Sequence, residues 1–542
     1  MASSWCLWAI AVRRKQIARV AAIAASGAQV AFDVRVIAMK VVCESAPHHN
    51  PSGPRMTVAT RYAASQHSQA FQRGPIEGPM IVLEFNELSP ALMDTFIDQG
   101  YLPNFKSLRD TSQVFTTVAE EVAPNLDPWI QWVTVHSGLS FDEHGIFHLG
   151  DGHKLAVKSL WDLIAAEGKA VWVCGSMNIK YDLPLRGAVV PDPWTVGMSP
   201  FPAELEPYYL FVQRNVQEYT NDRVPLSKGD YLRFLKFMVT HGLSARTVRS
   251  IVGQLWSERR TGKGKWKRAT ILDKLQRDVF LSYFKKFRPA FSTFFLNSTA
   301  HFQHAHWRNM DPEPFKIKPT DADQAEYQHA VRYGYEEMDR IVGDIVTAAP
   351  ANAVIVMATA LSQQPCLIYE DIGGKTFYRA RTFEPLLEFA GITGCQKVEP
   401  VMSEEFHLRF GNERDAADAA ERLSALRIEG RQVMRVERRQ TNVFSGCIIY
   451  SQLQHDALLK GGSNARSTPF FRLFYQVESL KSGMHHPDGI LWMRIPGSRP
   501  SVHREKVSLR DLAPTLLSLF GIEKPAYMTG SILPVDAPAW RR

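Results

Sequence analysis

Four groups of side chains in this sequence have the types and spacing to do chemistry. Glu84, Asn86 and Glu87 close the apolar run "MIVLEFNEL" (80–88). Asp127 stands in "NLDPWIQW", just ahead of a helix-like stretch at 129–137. His301, His304 and His306 share "TAHFQHAHW". His485, His486 and Asp488 crowd "SGMHHPDG" (482–489). Imidazole nitrogens and carboxylate oxygens drawn from separate strand ends can converge on a divalent cation, zinc first among them. Each cluster alone is weak, because a solitary polar histidine near a loop is more often a hydrogen-bonded structural residue than a ligand.

The elements that must position these groups alternate. "MIVLEF" reads as a buried strand that turns polar at its end. "SPALMDTFIDQG" follows as a helix, with Ser89 as N-cap, Pro90 at the first position and Gly100 as stop. "SLWDLIAAEGKAVWVCG" (159–175) reads as helix, glycine turn, strand. "FSTFFLNSTAHFQHAHW" (291–307) reads as a strand ending in a polar, His-rich turn. Residues 325–349 form a strong amphipathic pattern that feeds another buried strand, 353–357. Such alternation indicates an α/β fold with a large, mostly parallel central sheet flanked by helices. Ligands in such sheets gather at the carboxyl ends of the strands. The tip of the strand at 353–357 nonetheless carries only Ala358, Thr359, Ala360 and Leu361, none of which ionises.

The α/β core is expected at 78–204 and 291–540, interrupted by a mostly helical insertion at 205–290. A small α+β insertion is expected at 403–440, read as strand, Asp-capped helix, strand. The first 77 residues look like an extension outside the fold, with Met56 or Met80 as an alternative start. They hold nine Lys/Arg against three Asp/Glu, which is +6 of the net +8, so the basic balance says little about nucleic acid and none is expected as a partner. Residues 245–288 hold thirteen Lys/Arg against three Asp/Glu, read first as a solvated helical hairpin and second as a contact for an anionic ligand or membrane surface. Six scattered cysteines fit a reducing compartment. No apolar stretch reaches the ~20 residues of a spanning helix. A cytoplasmic location is the expectation, or an extracytoplasmic one if the N-terminal segment is a signal.

The order of motifs resembles the alkaline phosphatase superfamily, especially its type I phosphodiesterase/nucleotide pyrophosphatase branch. "YLPNFKSL" (101–108), "TVHSGLSFDEHGIF" (134–147), "NSTAHFQHAHW" (297–307), "GMHHPDGILW" (483–492) and "SLRDLAPTLLSLFGI…P…MTGSIL" (508–533) carry the resemblance across roughly 80–535. Membership implies an alkaline-phosphatase-like fold, two divalent cations, usually zinc, and a Ser or Thr nucleophile activated by one of them.

The positions that would do this work depart from the pattern. The first metal Asp falls at Asn86, with Glu84 on the same strand face as a substitute. The nucleophile window "EVAPNLDPWIQWV" (121–133) contains no Ser, Thr or Cys; the position falls at Pro128, or near Leu126 or Asp127. The next metal Asp falls at Ala300, while its partner is kept as His304. The Asp-His element falls on Thr359, Ala360 and Leu361. The late His is kept as His485. At most one cation site is therefore expected, from His304 and His485 completed by Asp488, Glu84 or His301, with Asn86 as the other surviving position.

Two functions follow. The first is a superfamily member with a degenerate phosphoesterase site that binds, scaffolds or regulates. The second is an active metal-dependent hydrolase or transferase of a phosphate or sulfate ester, with Asp127 as general base or nucleophile. Trp129, Trp132, Trp307 and Asn178 are candidates for lining a small-molecule or glycan-like ester, with ordinary core packing as the competing role for each Trp.

Overall fold

The computed structural model describes residues 75–123, 125–195, 197–219, 226–400, 404–461, 466–477 and 480–537. The expected extension, residues 1–77, lies outside the described residues as far as position 74. Nine strands and ten helices matter for the site. The strands are β1 (Met80–Phe85), β2 (Gln113–Val118), β3 (Val171–Cys174), β4 (Gly187–Val190), β5 (Phe291–Leu296), β6 (Val354–Ala358), β7 (Ser362–Pro365), β8 (Gly483–His486) and β9 (Asp488–Arg494). The helices are α1 (Pro90–Asp98), α2 (Pro103–Asp110), α3 (Pro128–Ser137), α4 (Leu160–Ala166), α5 (Glu206–Tyr219), α6 (Lys228–Thr240), α7 (Ala245–Thr261), α8 (Ala269–Phe287), α9 (Ser298–Met310) and α10 (Ala330–Ala348).

The central sheet runs β2-β9-β6-β1-β5-β3-β4, extended beyond β2 by the short strands Ser501–Val502 and Val507–Ser508. Strands β6, β1, β5, β3 and β4 run parallel to one another, and β9 is antiparallel to both β6 and β2. The mostly parallel α/β architecture is thus present, with one reversed strand. β1, β5 and β6 are buried at every position, because helices cover both faces. Met80 and Val82 pack toward α3, α4 and the C-terminal helix Leu512–Leu519. Ile81, Leu83 and Phe85 pack toward α1, α2, α8 and α10. Each such side chain contributes ~1.5–3 kcal/mol when fully buried.

Register explains where the site falls. Phe85 pairs with Leu296, and Glu84 with Ala358, so β1, β5 and β6 end at one edge. The tip of β6 is used for folding: Thr359 Oγ1 accepts the Ile490 N–H at 2.8 Å and ties β9 to the sheet. Beyond it, β7 turns back and pairs antiparallel with β8 over the same edge.

Local chemistry sets the helix ends. Ser89 precedes Pro90 at the start of α1, although its side chain makes no cap bond; its backbone N–H donates to the Tyr335 hydroxyl instead. Ser159 and Asp162 form a reciprocal capping box on α4. Two local readings are corrected. The His-rich turn after β5 is a regular helix, α9, because Ala300, Phe302 and Trp307 bury its inner side. The helix of the small insertion, Glu413–Ser424, is capped by Asn412, whose side chain accepts from Asp415 N.

That insertion has its own core, running from Tyr378 to Phe474, wider than the stretch 403–440. It is built on an antiparallel sheet ordered Met434–Arg439, Asn442–Cys447, Glu405–Phe410, Cys395–Pro400, plus a second small sheet. The segment 205–290 supplies α5 to α8. Its last helix belongs to the α/β core, since Phe280 and Tyr283 of α8 pack on Trp172 of β3 with ring centroids 6.2 and 5.3 Å away. Among the described residues no helix is long and apolar enough to cross a membrane.

Candidate metal centre

At the common edge of β1, β5 and β6, three side chains converge: Glu87 from the turn after β1, His304 from α9 and His485 from β8. Their ligand atoms lie within 4.8 Å of one another, and it is the one such His/carboxylate group among the described residues. All three are buried.

Glu87 adopts φ 61°, a left-handed conformation that costs a residue with a Cβ about 1–2 kcal/mol. The surroundings hold it there. Its backbone carbonyl accepts from Gln303 Nε2 at 2.7 Å, and Gln303 Oε1 accepts from the Tyr335 hydroxyl at 2.8 Å. Its Oε1 accepts from Asn86 Nδ2 at 2.7 Å and its Oε2 from Gln363 Nε2 at 2.5 Å. Burial alone would raise the Glu87 carboxyl pKa. The neighbouring His485 and His304 outweigh that and hold it well below the usual carboxylate range.

His304 donates Nδ1–H to the Gly483 carbonyl at 3.0 Å. That bond fixes the tautomer and leaves the Nε2 lone pair facing the centre, as in metal-ligating histidines. Nε2 is 2.9 Å from Glu87 Oε2, yet the approach is off the axis of an aligned hydrogen bond. His485 Nε2 lies 3.5 Å from the same oxygen, and its Nδ1 lies 3.6 Å from Asp127 Oδ1. Three buried ring nitrogens thus lack an aligned hydrogen-bond partner: His304 Nε2, His485 Nδ1 and His485 Nε2. Burial lowers the His304 pKa against the pull of Glu87. It also disfavours a charged His485, but there Glu87 and then Asp127 prevail and the pKa is raised.

Gly483 is required by this packing. A Cβ there would stand 2.3 Å from Gln363 Oε1 and 2.7 Å from the Gln303 carbonyl oxygen. Arg308 of α9 is ion-paired with Glu370 at 2.8 Å and donates to the Ile317 and Lys481 carbonyls, which anchors α9 to the segments that follow β7 and precede β8.

The other expected positions are placed as follows. Glu84 and Asn86 both face α3, as period two requires, but neither reaches the histidine pair. Glu84 Oε1 is 2.9 Å from His136 Nε2. Asn86 Oδ1 accepts from Trp132 Nε1 at 2.8 Å, and Asn86 Nδ2 also donates to Asn297. Asp127 immediately precedes α3 and flanks the centre through His485. Asp488 is turned outward to Lys506 at 2.8 Å, and the His301 ring lies against Phe302. Trp129, Trp132, Trp307 and Asn178 are buried. Trp129 Nε1 donates to the Phe147 carbonyl, and Asn178 Oδ1 accepts from Gly150 and Gly152 N–H, so these polar atoms are engaged within the protein. Sequence reasoning placed Glu87 in the first cluster but did not make it a ligand. The missed signal is its position just past Asn86, where the left-handed turn rotates it out of the strand's alternation.

No protein-family model and no curated protein matches the chain. Among solved structures it is similar to a phosphonoacetate hydrolase from Sinorhizobium meliloti 1021 bound to phosphonoacetate, with 13% identity and TM-score 0.37 over 81% of this chain and 95% of that one. It is similar to a mutant of the alkaline phosphatase PafA, with 11% identity and TM-score 0.39 over 84% and 99%. It is also similar to murine ectonucleotide pyrophosphatase/phosphodiesterase 5, with 10% identity and TM-score 0.34 over 85% and 98%. Nothing about the site or the reaction passes from those proteins to this chain.

Proposed function

We propose that this chain is a divergent relative of the phosphodiesterase/nucleotide-pyrophosphatase-like phosphoesterases in which the two-metal reaction centre has given way to one buried cation site, held by Glu87, His304 and His485, and that it binds rather than hydrolyses. The supporting observation is the set of three buried ring nitrogens without aligned partners around one ionised carboxylate. A divalent cation offers what hydrogen bonds there do not, and the donor set of two imidazoles and a carboxylate suits zinc.

The rest of the centre argues against turnover. The window that would carry a nucleophile, residues 121–133, has no hydroxyl or thiol. The tip of β6 is committed to the backbone of β9 through Thr359. Glu87, His304 and His485 are shut off from solvent, and so is Asp192, which helps to shape the loop after β3 by accepting from Asn178 N and Thr195 N. A bound cation would supply Lewis acidity, but the 121–133 window presents no hydroxyl or thiol for it to activate.

A second reading has one observation in its favour: the Asp127 carboxylate stands beside His485, where a general base would be useful in a hydrolase or transferase of a phosphate or sulfate ester. A screen of aryl phosphate, phosphodiester and aryl sulfate esters tests both. The binding reading expects no turnover above the buffer rate with any of them. Turnover that disappears in Asp127→Asn or His304→Ala would establish the hydrolase or transferase reading instead.

A further inference from the structure

We infer that the exposed face of α7 docks on an anionic lipid surface. Successive residues of an α-helix are turned by about 100°. Arg259, Val252, Trp256, Arg249 and Arg260 therefore fall in that order across one arc of roughly 100°, with Trp256 at its middle and arginines on both flanks. The opposite arc is the packed one, where Thr247 and Glu258 are buried. Trp256 is 63% exposed and Val252 is 50% exposed, two apolar side chains one turn apart on the outer face. The Arg260 guanidinium lies 5.5 Å from the Trp256 ring centroid. The helix is well defined at both ends: Ser244 accepts from Thr247 N, and Gly262 closes it at φ 70°. Exposed Lys263 and Lys265 extend the basic face past the C-terminus.

The charge on this face is uncompensated, unlike that of the cations around it. Arg246 pairs with Asp344 at 2.6 Å, Arg268 with Glu258 at 2.5 Å, Arg277 with Asp278 and Asp344, and Lys286 with Glu204. The one carboxylate of α7, Glu258, is thus turned inward to Arg268. Among the described residues, Arg249, Arg259, Arg260, Lys263 and Lys265 have no carboxylate within ion-pair distance. Five free cations favour an anionic partner. The protruding indole and valine between them decide which. A bilayer interface takes an aromatic ring and a small apolar side chain at headgroup depth while the flanking arginines meet lipid phosphate. A soluble polyanion would use the cations and gain little from Trp256 and Val252. The contact is peripheral, since the hairpin lies on the surface and α7 is amphipathic.

The test is sedimentation of the full chain with phosphatidylcholine vesicles, with and without about one third phosphatidylglycerol. Binding is expected to the anionic vesicles alone, weakening about tenfold or more when salt rises from ~0.05 to ~0.3 M. Arg259→Glu/Arg260→Glu should lose about tenfold or more, and Trp256→Ser or Val252→Ser several-fold with the salt dependence kept. All four positions are exposed, and the salt series on the unaltered chain needs no variant. No binding to anionic vesicles, equal binding to both kinds, or binding indifferent to Trp256→Ser and matched by heparin would overturn the proposal.

Discussion

The Glu87 carboxylate and the His304 ring meet at 2.9 Å with neither side chain open to solvent. His304 presents a neutral nitrogen there, and the carboxylate's charge is matched by His485, 3.5 Å away with a raised pKa; removing one partner of a buried charge pair strands the other at a cost of about 3–5 kcal/mol. Glu87→Gln keeps the shape but removes the charge, and its single amide oxygen can accept from only one of Asn86 Nδ2 and Gln363 Nε2. Its expected effect is a loss of roughly 3 kcal/mol in stability, read from chemical denaturation of the purified variant. A change within about 0.5 kcal/mol would mean that the centre is not held by that charge.

Metal removal gives a second expectation. A ligand bound only by the folded state raises the melting midpoint, so a chelator should lower the midpoint of the unaltered protein by several degrees. His304→Ala should start lower and show no further change with chelator. Differential scanning calorimetry with and without chelator reads both.

Gly483 tests the packing that aims the histidines. A methyl group there meets Gln363 and the backbone of Gln303, while the same residue's carbonyl receives the His304 proton. Gly483→Ala should cost about 1–3 kcal/mol and weaken metal uptake, although no ligand is altered. Equilibrium unfolding together with metal titration checks it.

Asp273 on α8 gives a pH signature. Burial raises its pKa from 3.8 to about 7, against the opposing hydrogen bond from Ser298. The folded protein therefore holds this proton between about pH 4 and 7, where the unfolded chain has released it. The associated stability is present at low pH and is lost as pH rises through that window. Asp273→Asn should leave stability near pH 4 unchanged and raise it by roughly 1–3 kcal/mol near pH 8. Denaturation curves at the two pH values decide it.

His148 and His407 act in the opposite direction, where the α/β core meets the small insertion. The His148 ring stacks on Phe444 at 4.4 Å, and His407 meets both rings edge-on. Burial lowers their pKa values to about 4 and about 3, with Asp151 opposing and Arg439 adding to the effect at His148. Both titrate near 6.5 when unfolded, so their contribution is lost as pH falls below that value. Near pH 5 the expected loss is roughly 2 kcal/mol for each, and His407→Leu should remove its share. Thermal melts between about pH 5 and 7 measure this.

Much of the scaffold was legible because burial leaves a pattern. β1, β5 and β6 are predominantly apolar runs buried at every position, and a sheet covered on both faces explains three of them with helices between. The blank tip of the 353–357 strand was also legible, and Thr359 shows its use, a hydrogen bond to strand β9 in place of a metal ligand. Glu87 was harder. A period-two reading sends Glu84 and Asn86 to one face and leaves Glu87 to the other, but a left-handed backbone at Glu87 rotates it into the centre, and single-residue conformation has no periodicity to read. The extent of the small insertion's core was hidden for a related reason: several strands outside 403–440 that belong to it are only three residues long, too short to alternate.

The central claim is a single cation held by Glu87, His304 and His485, and elemental analysis of the purified full chain after zinc loading and dialysis tests it most directly. The account predicts about one equivalent of zinc per chain, falling below about a tenth of an equivalent in both His304→Ala and His485→Ala. Less than about a tenth of an equivalent in the unaltered chain, or a content that neither substitution changes, would contradict it.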